Sequence, residues 1–214
     1  MNWQVIKDAF FYLGNFPTYV YGLWTLHRIN KPIVTIFGGK RMKQDSIYYN
    51  QAFELGKKLI AAGFGVITGG GPGIMEAGLC GAREQGEKYS LGIGVAGVDI
   101  EFESVCNQKT IFLHDFAHRK QLLIYYSVAF IIFPGGIGTL DELLEVMNLM
   151  KTNKIKIMPI ILINKEYWQL FLNWFQMAVN KGYVNKKYAD ILHVTDNIDD
   201  VLNILAKKTK GAHG

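Results

Sequence analysis

A glycine-rich stretch in the second half of the chain places an acidic side chain beside a potential phosphate site. Residues 134–139 read Pro-Gly-Gly-Ile-Gly-Thr, and Glu142 follows closely. The apolar run 130–133 before them predicts a buried strand, and apolar residues at helical spacing after them predict a helix. Glycine lets backbone N–H groups approach an anion, and the first N–H groups of a helix are unpaired at its positive end. The pattern indicates chemistry on a phosphorylated small molecule.

Two structural explanations of this stretch remain open at this point. Thr139 and Glu142 have the spacing of a capping box, in which two side chains satisfy each other's backbone N–H groups. The glycines could also serve the turn alone, because one glycine-rich turn is a weak signal. A second turn of the same kind makes the phosphate interpretation stronger.

Two further glycine turns occur earlier in the chain, and each follows a predicted strand. The strand predicted at 33–37 ends at a Gly-Gly pair, residues 38–39, with Arg41 close behind. The strand predicted at 65–68 ends at 69–73, which reads Gly-Gly-Gly-Pro-Gly. The coincidence of three glycine turns with three strand ends is the strongest argument from the residues for one shared binding site.

Strands and helices alternate along the whole chain. Strands are predicted at 33–37, 65–68, 90–95, 130–133, 157–163 and 193–194, and helices at 47–62, 74–83, 117–127, from 140 onward, 167–179 and 198–205. This order predicts an α/β fold, a Rossmann-like doubly wound parallel sheet with helices on both faces. Such sheets bind ligands at the carboxyl ends of their strands, where the glycine turns fall.

The length of 214 residues is accommodated most simply by one domain. We expect an N-terminal helical extension at 1–30, a nucleotide-binding Rossmann-like domain at 31–206 and a flexible tail at 207–214. Residues 97–117 are less regular and are expected to form a loop or short strand over the site.

Charge, hydropathy and cysteine usage indicate which kinds of ligand and which cellular compartment to expect. The formal net charge of +5 suits anionic ligands but is too diffuse to indicate a nucleic-acid partner. Residues 10–26 are interrupted by Asn15 and Pro17, and they are too short and too polar to span a membrane. Cys80 and Cys106 lie far apart in the sequence and predict neither a disulfide nor a metal site. A reducing, cytoplasmic location is therefore expected.

Several common nucleotide motifs are missing from the sequence. There is no G-x-G-x-x-G opening the first helix of the sheet, and no Walker lysine follows the glycines. The pattern therefore favours a ligand of mononucleotide size and a site that acts without a metal or another cofactor.

The glycine motifs at 69–75 and 134–142, in this order, resemble the paired motifs GGGxxGxM and PGGxGTxxE of the "Lonely guy" (LOG) family. The resemblance extends from about Ile33 to Leu205, and residues 37–41 are similar to the family's first loop. Members are phosphoribohydrolases that were formerly described as lysine decarboxylases. The sequence shows no lysine in the setting that a pyridoxal Schiff base requires.

The resemblance implies hydrolysis of the N-glycosidic bond of an adenine-type nucleoside 5′-monophosphate, either AMP or a cytokinin nucleotide, to the free base and ribose 5-phosphate. It implies that Arg119, in the Arg119-Lys120 pair, and Glu142 are catalytic. The expected substrate- and phosphate-binding positions are Gly38, Gly39, Arg41, Gly70, Gly71, Gly73, Met75, Lys120, Gly135, Gly136, Gly138 and Thr139. The resemblance also implies that the protein forms a homodimer and that its small-molecule partner is the nucleoside monophosphate.

Two questions stay open from the sequence. Glu142 could stabilise positive charge on the ribose, hold the ribose hydroxyls or orient the attacking water. The whole protein could also be a non-catalytic nucleotide-binding sensor or carrier, because a fold does not fix a function. The presence of both Arg119 and Glu142 favours the enzyme, since a binding protein needs only the phosphate site.

Overall fold

The structure is a computed structural model that describes residues 3–98, 104–106 and 108–210, with side chains described between 16 and 207 in these ranges. Within them the chain forms seven strands: β1 Ile33–Phe37, β2 Gly65–Thr68, β3 Ser90–Val95, β4 Thr110–Leu113, β5 Ser127–Ile132, β6 Ile160–Ile163 and β7 Leu192–Thr195. The helices are α1 Trp3–Ile29, α2 Ile47–Ala61, α3 Ile74–Gly86, α4 Phe116–Tyr125, α5 Ile137–Lys151, α6 Lys165–Asn180 and α7 Ile198–Lys210. The expected tail, 207–214, therefore overlaps the end of α7, and residues 211–214 lie outside the described part.

All seven described strands pair in parallel in the order β4-β3-β2-β1-β5-β6-β7. The chain builds outward from β1 to β4 and then returns to place β5 on the other side of β1. The predicted doubly wound α/β fold is confirmed. The point where the winding reverses, between β1 and β5, opens a crevice at the carboxyl ends of the strands.

Successive residues of each strand face opposite sides of the sheet, and each side has its own hydrophobic core. In β1, Ile33 and Phe37 face one side, whereas Val34 and Ile36 face the other. The first core contains buried side chains from α1, α4, α5 and α6, and the second contains side chains from α2, α3 and α7. Because both faces are covered, the strands are almost continuously apolar.

The N-terminal segment, for which a helical extension was predicted, forms one long helix, α1. Pro17 lies inside α1, and the end of the helix is fixed by Leu26 and Ile29, which are buried in the first core. Within the described ranges, no helix combines the length and apolar character needed to cross the bilayer.

The sequence prediction about the cysteines is wrong, because Cys80 and Cys106 form a disulfide. Cys80 lies on α3, and Cys106 lies in the connection between β3 and β4. The parallel topology returns that connection to the helix preceding β3, so residues distant in sequence meet in space. The cysteines consequently no longer support a reducing compartment, and the cytoplasmic location stays a prediction.

Candidate active site

The three glycine turns meet at the carboxyl end of the sheet, and Gly39 joins them. The amide of Gly39 donates a hydrogen bond to the carbonyl of Pro134 at 3.0 Å. The carbonyl of Gly39 accepts one from the amide of Ile74 at 3.3 Å, immediately after the second turn. A Cβ on Gly73 would lie 2.5 Å from this carbonyl, so the close approach of the first two turns requires glycine there.

The third turn leads into the open N-terminus of α5. Gly136 is the residue that precedes the helix, and Ile137, the first helical residue, is 89% exposed. In the described part of the chain, apart from the adjoining residues and the backbone of α5 itself, no atom lies within 4 Å of the position that a Cβ on Gly136 or Gly138 would take. The first N–H groups of α5 therefore face open space, as a phosphate site at a helix N-terminus requires.

The capping-box explanation of Thr139 and Glu142 is wrong. It needs Thr139 to precede the helix, but α5 already begins at Ile137, and among the described residues no side chain caps its N-terminus. Thr139 is buried, and its hydroxyl packs so close to Gly135 that a Cβ there would overlap it. Glu142 is consequently free of a capping role and is directed to another partner.

That partner is Arg119, which lies on α4. Its Nη1 contacts Oε1 of Glu142 at 3.2 Å, and its Nε donates to the carbonyl of Ile93 at 2.9 Å. Its Nη2 occupies the space that a Cβ on Gly69 would need. Arg119 and Glu142 are 7% and 8% exposed, so a buried ion pair lies directly beside the second glycine turn.

Burial controls the protonation of Glu142 more strongly than its partner does. Desolvation raises the pKa of this carboxyl from the ordinary value of 4.5 to about 7, although the Arg119 charge and hydrogen bond lower it. At neutral pH both the acid and the carboxylate are therefore populated. A carboxyl group with a pKa near neutrality suits proton transfer and transition-state charge stabilisation.

The basic residues at the start of α4 have an anionic neighbour within the chain. Asp115 precedes the helix and accepts hydrogen bonds from the His118 amide at 2.9 Å and from its ring Nδ1 at 2.7 Å. Burial acts to raise the pKa of Asp115, but these hydrogen bonds hold it below its usual value. An anionic ligand is thus not needed to explain cations at this helix start.

The other predicted binding residues divide into two groups. Gly70, Gly71, Gly73 and Met75 are buried around the second turn, and Gly38 packs against Ile74 at the end of β1. Lys120 instead contacts two acidic residues of α5, Asp141 at 3.1 Å and Glu145 at 2.5 Å. Arg41 is exposed beyond the first turn.

Two neighbours of the turns escaped the sequence analysis. The hydroxyl of Tyr167, at the start of α6, donates to the carbonyl of Gly135. Glu76, in the first turn of α3, is only 2% exposed and accepts a hydrogen bond from the amide of Val105. Both are contacts between segments distant in sequence, and the residues themselves give no signal of them.

This chain is similar to known proteins in both sequence and fold. The family described as "Possible lysine decarboxylase" matches residues 75–205. The probable cytokinin riboside 5′-monophosphate phosphoribohydrolase LOG4 of Oryza sativa subsp. japonica is 26% identical over 178 residues, which cover 81% of this chain and 76% of the relative. The cytokinin riboside 5′-monophosphate phosphoribohydrolase LOG1 of Arabidopsis thaliana is 32% identical over 161 residues, which cover 71% of this chain and 72% of the relative.

A solved structure of the molybdenum cofactor binding protein from Rippkaea orientalis superposes with a TM-score of 0.63. The match has 20% sequence identity and covers 84% of this chain and 98% of the other. At this identity the similarity supports the fold and carries no information about the ligand.

Proposed function

Because the chain belongs to the LOG family, we propose that it hydrolyses the N-glycosidic bond of an adenine-type nucleoside 5′-monophosphate. The products are the free base and ribose 5-phosphate, and the substrates are AMP or cytokinin nucleotides. The observation that carries the proposal is the buried pair of Arg119 and Glu142 beside the three glycine turns.

The 5′-phosphate binds at the N-terminus of α5 in this proposal. The open space around Gly136 and Gly138 supports it, because unpaired helix amides and the positive end of the helix dipole favour an anion. Phosphate binding away from the reacting bond fixes the position of the sugar, and this lowers the entropic part of the barrier.

Glu142 acts on the ribose in this proposal. Cleavage of the glycosidic bond builds positive charge on the sugar ring, as in other glycoside hydrolyses. The ionised carboxylate of Glu142 stabilises that charge, holds the ribose hydroxyls or orients the attacking water, and all three roles need the same oxygen atoms. Arg119 holds this carboxylate in place and supplies positive charge for the phosphate or the departing base.

The test is a chromatographic assay with AMP, N6-isopentenyl-AMP, other 5′-monophosphates and adenosine. We expect free base and ribose 5-phosphate from a monophosphate and no product from adenosine, which lacks the phosphate. Binding of a monophosphate without release of base would instead identify a nucleotide sensor or carrier and overturn the proposed hydrolysis.

Glu142→Gln separates binding from turnover in the same assay. The amide keeps the size of the side chain but removes the negative charge, so nucleotide affinity should persist while kcat falls by about 100-fold or more. Asp141→Asn is the matched control, because it makes the same change one position earlier on a carboxylate that is 59% exposed and contacts Lys120. Equal activity in both variants would contradict the role of Glu142.

We further propose that the protein forms a homodimer, as the family resemblance implies. Exposed apolar side chains on α6 are consistent with contact to a second copy, since Leu170 is 81% and Trp174 50% exposed. Light scattering coupled to size-exclusion chromatography measures this directly, and a mass of 24.2 kDa, that of one chain, would contradict it.

A further inference from the structure

The described part of the connection between β3 and β4 contacts two different elements near the candidate site. Residues 104–106 contact α3, and residues 108–109 contact the second glycine turn and β3. This connection therefore links α3 to the second glycine turn, in which Gly70, Gly71 and Gly73 are expected to bind the substrate.

The contact with α3 has two parts, which lie one helical turn apart. Oε1 of Glu76 accepts a hydrogen bond from the amide of Val105 at 2.9 Å, and Cys80 forms the disulfide with Cys106. Residues four apart lie on the same face of a helix, so both contacts hold the same short segment. Burial and the nearby Glu76 carboxylate raise the pKa of Tyr49 to about 12.

The contact with the glycine turn is direct. Nε2 of Gln108 donates to the carbonyl of Gly70 at 2.8 Å, and the carbonyl of Lys109 accepts from the amide of Gly92 at 2.8 Å. The methyl group of Thr110 occupies the space beside Gly70, 2.6 Å from where a Cβ would be. Gly70 has a φ of +72°, a conformation that favours glycine, and its amide donates to the hydroxyl of Thr68 at 3.1 Å, so Gln108 supplies a second hydrogen bond to this residue.

We propose that the Cys80–Cys106 disulfide, acting through Gln108, positions the 69–73 turn for the substrate. Substrate affinity then depends on the redox state of the cysteine pair. Both cysteines and Gln108 are positioning residues, because none of them needs to touch the ligand. The inference rests on the proposed function only in naming the ligand as a nucleoside 5′-monophosphate.

A reductant can reach the disulfide through a cavity of about 500 Å³ that Cys80, Cys106, Tyr49 and Arg83 help to line. Cys80 is buried, whereas Cys106 is partly exposed. A dithiol attacks Sγ of Cys106 as its thiolate, and Cys80 leaves as a thiolate that takes up a proton. The second thiol of the reductant then closes a cyclic disulfide and releases Cys106, so two electrons and two protons pass to the protein.

Reduction removes one of the two contacts with α3 and leaves the hydrogen bond between Glu76 and Val105. The segment should therefore loosen without leaving α3. Weakening of the hydrogen bond to Gly70 should raise KM for the monophosphate about fivefold, the effect of one ordinary hydrogen bond. The kcat should not change, because Arg119 keeps its contacts with Glu142 and with the carbonyl of Ile93.

The test compares KM and kcat of the full-length protein before and after reduction with excess dithiothreitol. Mass spectrometry of unreduced peptides first verifies the Cys80–Cys106 linkage. A KM that rises on reduction with kcat unchanged, and that falls again on reoxidation, supports the proposal. If the disulfide only stabilises the fold, reduction should lower Tm and leave KM unchanged at a temperature where the protein stays folded, and this result would overturn the proposal.

Two variants control for effects of the reductant elsewhere. The Cys80→Ser/Cys106→Ser protein should have the raised KM with or without dithiothreitol. Gln108→Ala should have a raised KM while the disulfide is intact, and reduction should add no further increase, because both changes act on the same contact. Independent, multiplicative effects of reduction and Gln108→Ala would contradict the route through Gln108.

A readout without turnover separates this inference from the proposed reaction. Amide hydrogen exchange in peptides covering 69–76 should become faster on reduction, even if no monophosphate is hydrolysed. Faster exchange without any hydrolysis would support the positioning contact and contradict the proposed enzyme. Hydrolysis with unchanged KM and unchanged exchange would support the enzyme and contradict the positioning contact.

Discussion

The pairing of Arg119 with Glu142 illustrates how two opposing effects set the state of one side chain. Burial alone would keep Glu142 neutral, and the guanidinium alone would keep it ionised. Burial has the larger effect, so its pKa reaches about 7 rather than falling below 4.5. A buried ion pair of this kind contributes little to stability, because desolvation offsets the attraction. The position of the Arg119–Glu142 pair beside the glycine turns therefore favours a role in function.

The raised pKa of Glu142 predicts how stability depends on pH. Between pH 4.5 and 7 this group is protonated in the folded protein and ionised in the unfolded chain. The folded state thus binds more protons, and the free energy of unfolding falls as pH rises through this window, levelling off above it. The shift corresponds to at most about 3 kcal/mol.

Glu142→Gln removes this titration, so the variant should gain stability relative to the original protein as pH rises from 4.5 to 7. Urea denaturation of both proteins at several pH values measures the difference. Asp141→Asn is the control for the change from a carboxylate to an amide, because its side chain is 59% exposed and Glu142 is retained. A difference between Glu142→Gln and the original protein that is independent of pH would contradict the raised pKa.

Arg119→Gln tests the other side of the pair. Removing the cation takes away the interaction that lowers the pKa of Glu142, so this pKa should rise further above 7. The acid limb of the kcat/KM profile should move to higher pH, and kcat/KM at neutral pH should fall by roughly 100-fold. The substrate phosphate also titrates near pH 6, but equally for both proteins. An unchanged limb position would show that Arg119 does not control Glu142.

At the scale of elements, the glycines around the start of α5 differ in the space available beside them. Gly135→Ala should destabilise the protein by about 1 to 3 kcal/mol, because the new Cβ would overlap the Thr139 hydroxyl and press on the Gly39 amide. Gly138→Ala should keep or raise stability by up to about 1 kcal/mol, since it lies in a helix with open space beside it.

The same two variants should have different effects on ligand binding. The methyl group of Gly138→Ala enters the space proposed for the phosphate, so the Kd for AMP should increase although the fold is intact. Thermal denaturation and calorimetric titration of both variants measure the two properties separately. Unchanged affinity in Gly138→Ala would place the phosphate elsewhere.

Local patterns in the sequence predicted the elements better than their contacts. The glycine turns and apolar runs identified β1, β2 and β3 with correct bounds, because buried parallel strands are uniformly apolar and end at turn residues. The start of α5 was placed too late, and this error made the capping box a credible alternative. Periodicity locates a helix by its apolar face, whereas its first turn at Ile137 is exposed and carries no such signal.

Most contacts between distant segments could not be predicted from the sequence. The doubly wound topology predicted that strand ends converge, and the glycine turns do meet there. It did not predict that Lys120 would contact Asp141 and Glu145, that Tyr167 would reach Gly135, or that Cys80 would meet Cys106. Such contacts depend on which face of each helix packs toward the sheet and on its exact rotation, which single residue types do not specify.

At the scale of the whole molecule, the disulfide should contribute to stability as well as to position. The two cysteines are 26 residues apart, and closing a loop of this size lowers the entropy of the unfolded chain by an amount worth about 3 to 4 kcal/mol. Reduction should lower the free energy of unfolding by up to this amount, measured by urea denaturation with and without dithiothreitol. Most of the effect should appear as faster unfolding if this contact forms late in folding.

The Cys80→Ser/Cys106→Ser variant should match the reduced protein under both conditions. A reduced protein as stable as the oxidised one would contradict the loop-closure contribution of the disulfide, whereas its effect on the position of the glycine turn is tested separately by KM.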